Sequence, residues 1–401
     1  MAHRRQRTIL FLGVGINLFL LAYFKYANFG IESLNALLRA FHLSEIGTLN
    51  LLLPIGLSFF VFNSISYMVD IYRKEARCET DFFVFSTYLS AFSHILNGPI
   101  MRFKQHGAMF RSPAPSWANF EMGVIRFMVG MQKKILLADP LSPLVQASFA
   151  TAHPTAPDVW LGMVAYSLQL YFDFSGYSDM AIGLGRMLGY TYPENFNHPY
   201  MAQSITQFWQ RWHLSLSGFL KNYLYIPLGG NRKGNTRTYI NLFLTMTLGG
   251  LWHGANWTFV LWGMWNGFFL MLERYLNETF KRPPPPILYA LPKMMILVML
   301  GRLFFRSDTV SDALQMFWGS VGRYGWSSLS PSVSLTLTPE RIVVLCVSAA
   351  MIGIAPLWNR YAQAIPVGVH TLSRGLLVLL FVVSLGMIGV QAFTPFLYFR
   401  F

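Results

Sequence analysis

Charge is what this sequence has least of. Of its 401 residues only 12% are Asp, Glu, Lys or Arg, while 54% are hydrophobic and 16% aromatic. Soluble domains carry about 25% charged residues, so the deficit excludes an ordinary water-soluble globule and fits a chain whose main solvent is lipid. Acid is scarcer than base, 17 residues against 31, which leaves a formal net charge of +14. In a soluble protein that excess would suggest nucleic acid. Here the basic residues fall in short clusters between apolar runs: Arg4, Arg5, Arg7; Arg73, Lys74, Arg77; Lys133, Lys134; and Arg232, Lys233, Arg237. This is the positive-inside pattern of cytoplasmic loops touching anionic lipid, and no nucleic-acid partner is expected.

Other absences narrow the chemistry. The two cysteines, Cys78 and Cys346, have no metal or redox spacing, so neither a disulfide framework nor a metal site is indicated. Strand-type alternation at barrel spacing is missing, which leaves helices to span the membrane. No small-x-small cleavage site follows the basic start, so the first apolar segment reads as a retained helix beginning in the cytoplasm. No internal repeat is visible, which weakens an inverted-repeat transporter. There is no Gly-x-Ser-x-Gly stretch and no suitably placed cysteine, so a covalent acyl-enzyme is not suggested.

Apolar runs are abundant. The clearest are Thr8–Phe24, Leu49–Val69, Phe82–Leu96, Val159–Phe172, Thr238–Leu272, Met294–Leu300, Ile342–Trp358 and Leu376–Phe393. A span needs roughly 20 residues. The pattern predicts an all-α polytopic membrane protein with about nine to eleven embedded helices, some short or re-entrant, in a single domain over residues 1–401. Arg282–Pro286, with four consecutive prolines, reads as a stiff break, and Thr151–Asp158 and Ser327–Pro339 read as extramembrane loops. Asn97-Gly98-Pro99 marks a turn, with His94 and His106 beside it as ordinary loop or interface residues.

Polar residues become dense between 171 and 267, the motif-rich core. YFDFSGYSDMAIGLGRMLGY places Asp173, Ser175, Ser178, Asp179 and Arg186 in otherwise apolar helix. A carboxylate at membrane depth costs roughly 2.5–3.5 kcal/mol and faces a cavity or a partner. Asp179 and Arg186 lie seven apart on one helix face, placed either to bracket a shared partner or to sit in buried ion pairs. Next, Ile205–Tyr223 shows an aromatic face (Phe208, Trp209, Trp212) and a polar face (Gln207, Gln210, Arg211, Lys221, Asn222), which predicts an amphipathic helix of roughly five turns with His213 at the boundary. A basic loop, Asn231–Arg237, follows.

The stretch GGLWHGANW puts His253 inside 35 residues, Thr238–Leu272, that hold no Lys, Arg, Asp or Glu. As one helix this run would measure roughly 50 Å against a hydrocarbon core of about 30 Å, so it is either long and tilted or broken near Gly249-Gly250 and Gly254. From the basic loop His253 is roughly 22 Å deep. Gly249, Gly250 and Gly254 clear space around the ring, and Trp252, Asn256 and Trp257 add donors and flat walls. A neutral buried imidazole suits general-base work on a hydroxyl that attacks an acyl carbonyl. Direct acyl transfer is the economical expectation, with Asn256 or Trp252 as candidate donors to the carbonyl oxygen.

These blocks, together with ENFNHPY, FWQRWHLSLSGFLKNYLYIPLGGNRKGN, LGGLWHGANWTFVLWG and the C-terminal TPFLYFRF, resemble the membrane-bound O-acyltransferases, and within them the bacterial members that acetylate alginate. The resemblance covers most of Leu10–Gly267. It implies a multi-pass enzyme of the bacterial inner membrane that takes an acetyl group from a cytoplasmic donor, acetyl-CoA, and modifies an exported polysaccharide. It implies His253 as the family's invariant histidine and His213 as its second. It also implies a periplasmic partner that completes transfer, alongside export machinery, and no tightly bound cofactor. Arg211, Lys221, Arg232 and Lys233 are candidates for the phosphates of the donor, with lipid headgroups as the plainer alternative. Members usually carry acids where this chain has Gln207 and Asn222, and an arginine where it has Gln210. They also carry further helices upstream of the segment matching Leu10–Tyr26, which leaves the outer ring of helices open. The competing class is a transporter or channel of polysaccharide export with a proton relay through Asp173, Asp179, Arg186 and His253. A non-catalytic scaffold is the third.

Overall fold

Apolar length sets the architecture. The computed structural model describes residues 2–96, 98–280, 286–361, 367–390 and 396–397, and among them there is no strand, only an isolated bridge between Phe196 and Trp212. Helix α1 (Ala2–Leu21) passes through a π-helical turn, Ala22–Tyr26, into α2 (Ala27–Ala40). There follow α3 (Leu57–Tyr72), α4 (Trp117–Gln132), α5 (Ala156–Met187), the short α6 (Ile205–Trp209) and α7 (Leu214–Leu220), then α8 (Gly234–His253), α9 (Trp257–Phe280), α10 (Ile287–Arg306), α11 (Pro339–Tyr361) and α12 (Val367–Val390). Among the described residues, four stretches are long and apolar enough to cross a membrane: Arg4–Ala40, Ile287–Arg306, Pro339–Pro356 and Ser373–Val390. Three of them bury very few of their residues, as lipid-facing helices do, while α10 is more enclosed.

Polar side chains gather on an interior helix. Helix α5 runs 32 residues from a Thr155/Asp158 capping box and buries Asp173, Ser175, Ser178 and Asp179 along its length. It packs on α4 through facing glycines: a Cβ on Gly130 would stand 2.5 Å from the Gly176 carbonyl, and one on Gly123 2.7 Å from that of Gly183. Backbones this close are the usual solution where lipid removes the hydrophobic drive between helices. The α8–α9 hairpin is built the same way, with Gly250 against Gly263 and Gly267 against Phe243.

One long run takes the second of its two expected forms, and two other stretches differ from their sequence patterns. The Thr238–Leu272 run is two helices, broken at Gly254–Asn256, while Gly249 and Gly250 remain helical. The five-turn helix expected over Ile205–Tyr223 is interrupted at Gln210–His213 and ends in a π-helical turn, Lys221–Tyr225. Ser327–Pro339 contains a six-residue helix, Pro331–Thr336, anchored by the buried Val333. Asn97, residues 281–285 of the proline-rich break, and all of TPFLYFRF except Phe396 and Leu397 lie outside the described residues.

Candidate active site

His253 is the last residue of α8. The helix is 20 residues long, about 30 Å, so its far end reaches across the bundle. A helix end leaves its last carbonyls without intrahelical donors, which is costly where water is absent. Here the π-helical turn after α1 supplies them. Lys25 Nζ donates to the Trp252 carbonyl at 2.5 Å and reaches the His253 carbonyl at 3.4 Å, and Tyr26 Oη donates to the Leu251 carbonyl at 3.0 Å. A cation at this terminus also complements the helix dipole. Gly254 then extends the chain, and Asn256 starts α9 by accepting from the Thr258 N–H at 3.1 Å. The ring of His253 is 6% exposed and walled edge-on by Trp252, Trp262 and Phe305, with centroids 5.0, 5.1 and 5.3 Å away.

His213 stands at the interruption between α6 and α7. Ser204 and, from α9, Glu273 cap α6: the Glu273 carboxylate accepts from Ile205 N at 2.9 Å and Thr206 Oγ1 at 2.6 Å. The chain then swings out to pair with residues 195–197. Asn197 N donates to the Arg211 carbonyl at 2.9 Å and Leu214 N to the Asn195 carbonyl at 3.0 Å. The Asn195 side chain ties both neighbours, accepting from Ser215 Oγ at 2.7 Å and donating to Ser178 Oγ at 3.0 Å. This puts His213 at φ +47°, a left-handed conformation that a non-glycine residue adopts only under tertiary constraint. Its ring is 1% exposed and meets Phe174 edge-on at 4.7 Å. Its neighbour in the chain, Trp212, lines the cavity that His253 lines.

Two cavities flank this layer. The smaller, about 20 Å³, is lined by His253, Trp209, Trp212, Trp262, Asn266 and Arg302 among others. The larger, about 550 Å³, is lined by Tyr171, Ser175, Asp179, Asn195, His198 and Tyr200, with Arg126 and Lys133 at its charged edge. Tyr200 and Trp212 separate them, and the Arg302 guanidinium lies over both rings, 5.2 and 5.0 Å from their centroids.

Of the predicted residues, His253 lines the small cavity and His213 is buried beside Phe174 next to Trp212 of that lining, while the others are distributed elsewhere. Trp252 packs away from the small cavity, stacked on Phe62 at 5.0 Å. Asn256 spends its amide on the Asp308 carbonyl at 2.8 Å as well as on the α9 cap. Asp179 pairs with Arg126 at 2.6 Å and Lys133 at 2.5 Å, and Arg186 is exposed, so these two do not bracket a common partner. Asp173 belongs to a second buried network: Lys134 Nζ bridges it at 2.8 Å to Asp139 at 2.6 Å, and its other oxygen accepts from Leu397 N. Arg211 is half-buried, and Lys221, Arg232 and Lys233 are exposed. Sequence reasoning missed Lys25, Trp209 and Arg302. The signal for Arg302 was there, since an arginine inside an apolar span is a functional candidate by default, but it sits near the end of its run and reads as a boundary residue.

Comparison with known proteins identifies the family of this chain. A family model described as the membrane-bound O-acyltransferase family matches residues 73–299. The chain is 43% identical to a protein of Pseudomonas putida named "Probable alginate O-acetylase AlgI", over 99% of this chain and 84% of that one. It is 35% identical to the peptidoglycan O-acetyltransferase of Helicobacter pylori, over 80% and 66% of the two chains. It is 28% identical to the teichoic acid D-alanyltransferase of Streptococcus thermophilus, over 68% and 70%. The chain belongs to the membrane-bound O-acyltransferase family and is a membrane-embedded acyltransferase.

Proposed function

We propose that this acyltransferase moves an acetyl group from a cytoplasmic thioester donor, acetyl-CoA, toward hydroxyls of an exported polysaccharide, directly or through a periplasmic partner working with export machinery. It does so in a bacterial inner membrane. His253 is the general base: it takes the proton of the acceptor hydroxyl as that oxygen attacks the acyl carbonyl. The observation that carries this reading is the placement of His253, at a freed helix end, enclosed by three aromatic rings and lining a small, largely apolar cavity that also holds Asn266 and Arg302. His213, buried behind it, orients a substrate or relays the proton.

The relatives' names support the acceptor class, since each pairs an acyl group with a polymer: alginate, peptidoglycan or teichoic acid. The 550 Å³ cavity has the size of an ordinary ligand pocket and borders the wall behind which His253 lies, which suits entry of the donor. Arg211, Lys221, Arg232 and Lys233 stand where a polyanionic donor or a lipid headgroup can meet them. A proton relay for transport is less well supported, because Asp173 and Asp179 are held in two separate ion-pair networks and Arg186 is exposed.

The test is His253→Ala at normal membrane abundance, with O-acetyl groups on the secreted polysaccharide as readout. Loss of acetylation with the polymer still exported is the expected result. Normal acetylation removes His253 from the mechanism, and loss of the polymer itself favours transport.

A further inference from the structure

Among the described residues, two hydrogen-bond donors at the His253 cavity have nothing to donate to. Arg302 is 4% exposed, on the inward side of α10. Its Nη1 donates to Tyr200 Oη at 2.7 Å, and that hydroxyl gives its own proton to the Ser167 carbonyl at 2.6 Å. With the Tyr200 and Trp212 rings beneath it, one end of the guanidinium fork is fixed. The other end, Nη2, is buried without a hydrogen-bond partner, and no carboxylate pairs with Arg302 among the described residues. The indole Nε1 of Trp209 is likewise buried and without an acceptor. Both residues line the 20 Å³ cavity with His253. Asn266, also in the lining, has already given its amide N–H to the Trp262 carbonyl at 2.8 Å.

A cation and an indole N–H left unpaired in a membrane protein's interior are costly. The cost is understandable where the missing partner arrives with the substrate. The cavity has room for about one oxygen-sized group, and its free donors are a charged guanidinium and a neutral indole. That is the donor set for an oxygen that gains negative charge.

We propose that Arg302 and Trp209 are catalytic residues that bind the carbonyl oxygen of the acyl donor and hold it as it becomes an oxyanion. The inference rests on the acyl-transfer reading above. In the first step the acceptor hydroxyl oxygen forms a bond to the carbonyl carbon, its proton passes to His253, and the carbonyl π pair moves onto the oxygen facing Arg302 Nη2 and Trp209 Nε1. In the second, that pair re-forms the carbonyl, the carbon–sulfur bond breaks, and the leaving thiolate takes the proton from His253. The products are an ester and a free thiol.

The test uses the full chain in lipid nanodiscs, with thiol release from acetyl-CoA in the presence of de-acetylated alginate. Trp209→Phe keeps the ring and removes the donor; Arg302→Lys keeps the charge and withdraws the fork. We expect kcat to fall about 10–100-fold in the first and about 100–1000-fold in the second. Inhibition by S-ethyl-CoA, a thioether with no carbonyl oxygen, should be unchanged in both. Wild-type kcat in both variants, or ethyl-CoA affinity falling in step with kcat, overturns the inference and leaves acyl transfer standing. Wild-type thiol release above a protein-free blank that does not fall in His253→Ala overturns the acyl-transfer reading and this inference with it.

Discussion

Gly249 and Gly250 are neighbours in one helix, yet alanine should have opposite consequences at the two. A Cβ on Gly249 meets only Leu220 Cδ1, at 3.0 Å, the far end of a flexible side chain. A Cβ on Gly250 meets backbone: Gly263 Cα at 2.8 Å, Gly263 N at 2.9 Å and the Phe259 carbonyl oxygen closer still. Moving the Gly263 contact from 2.8 Å to an ordinary 3.4 Å requires about 0.6 Å of separation between α8 and α9, and relieving the carbonyl requires more. Neither backbone can rotate away as a side chain can. Overpacking of this kind costs about 1–3 kcal/mol, against about 1 kcal/mol gained from alanine's helix propensity. Gly250→Ala is therefore mildly destabilising at most, and the protein should still assemble.

Activity should be hit much harder. Gly250 is three residues before His253, and α9 carries Trp262 and Asn266, which line the cavity from the other side. Separating the two helices by most of an ångström moves His253 relative to that lining, and if His253 acts as proposed, misplacement near 1 Å costs about 100-fold in rate. The assay is O-acetylation of the secreted polymer, normalised to folded protein measured by size exclusion in detergent. We expect a 10–100-fold loss in Gly250→Ala and activity within about twofold of wild type in Gly249→Ala. Equal activity in the two variants would refute the claim that hairpin spacing positions His253.

Lys25→Met should lower kcat about 10-fold at unchanged membrane abundance, because the Trp252 and His253 carbonyls lose their donor, and Tyr26→Phe should cost less; initial rates across a donor titration check both. Asp173→Asn takes one of two carboxylates from the buried Lys134, which keeps Asp139, so a loss below the ~3–5 kcal/mol of a fully broken buried pair is expected, read as a lowered thermal midpoint in detergent. In the loop after α3, hydrogen bonds from Arg111 hold the Glu79 carboxylate below its ordinary range, and Lys104 does the same for Glu75. A depressed carboxylate stabilises the fold above its unfolded pKa of about 4.3 and loses that contribution as pH falls through the lower folded value, so protease sensitivity of this loop should rise below about pH 4 and stay flat between pH 6 and 8.

The class of the protein was legible from composition alone, because lipid allows few charges and few architectures. His253 was legible because an ionisable residue among glycines and tryptophans, far from any charge, is hard to explain as packing. The interruption at His213 was not. The apolar period runs unbroken through Ile205–Tyr223, and what stops the helix is competition from Asn195–Asn197, which take the same backbone groups. Nor did the sequence show the partners of Asp179. Arg186 is its neighbour on the helix, but the true partners are 53 and 46 residues away on α4 and the turn after it. Helical spacing reports what shares a face and is silent on what faces it.

Both histidines stand where a helix stops inside the bundle, and this has a physical consequence. A continuous helix satisfies its own backbone but fixes the direction of every side chain. Stopping it frees the ring to be aimed and leaves backbone groups that the membrane cannot hydrate. The chain must then supply partners from elsewhere. For α8 they are Lys25 and Tyr26; for the stretch around His213 they are Asn195 and Asn197. Lys25 and Tyr26 lie before the 73–299 stretch that the family model matches, and Arg302 lies after it. The arrangement thus draws on chain inside and outside that stretch: both histidines, Asn195, Asn197 and Trp209 fall within it, while Lys25, Tyr26 and Arg302 fall outside.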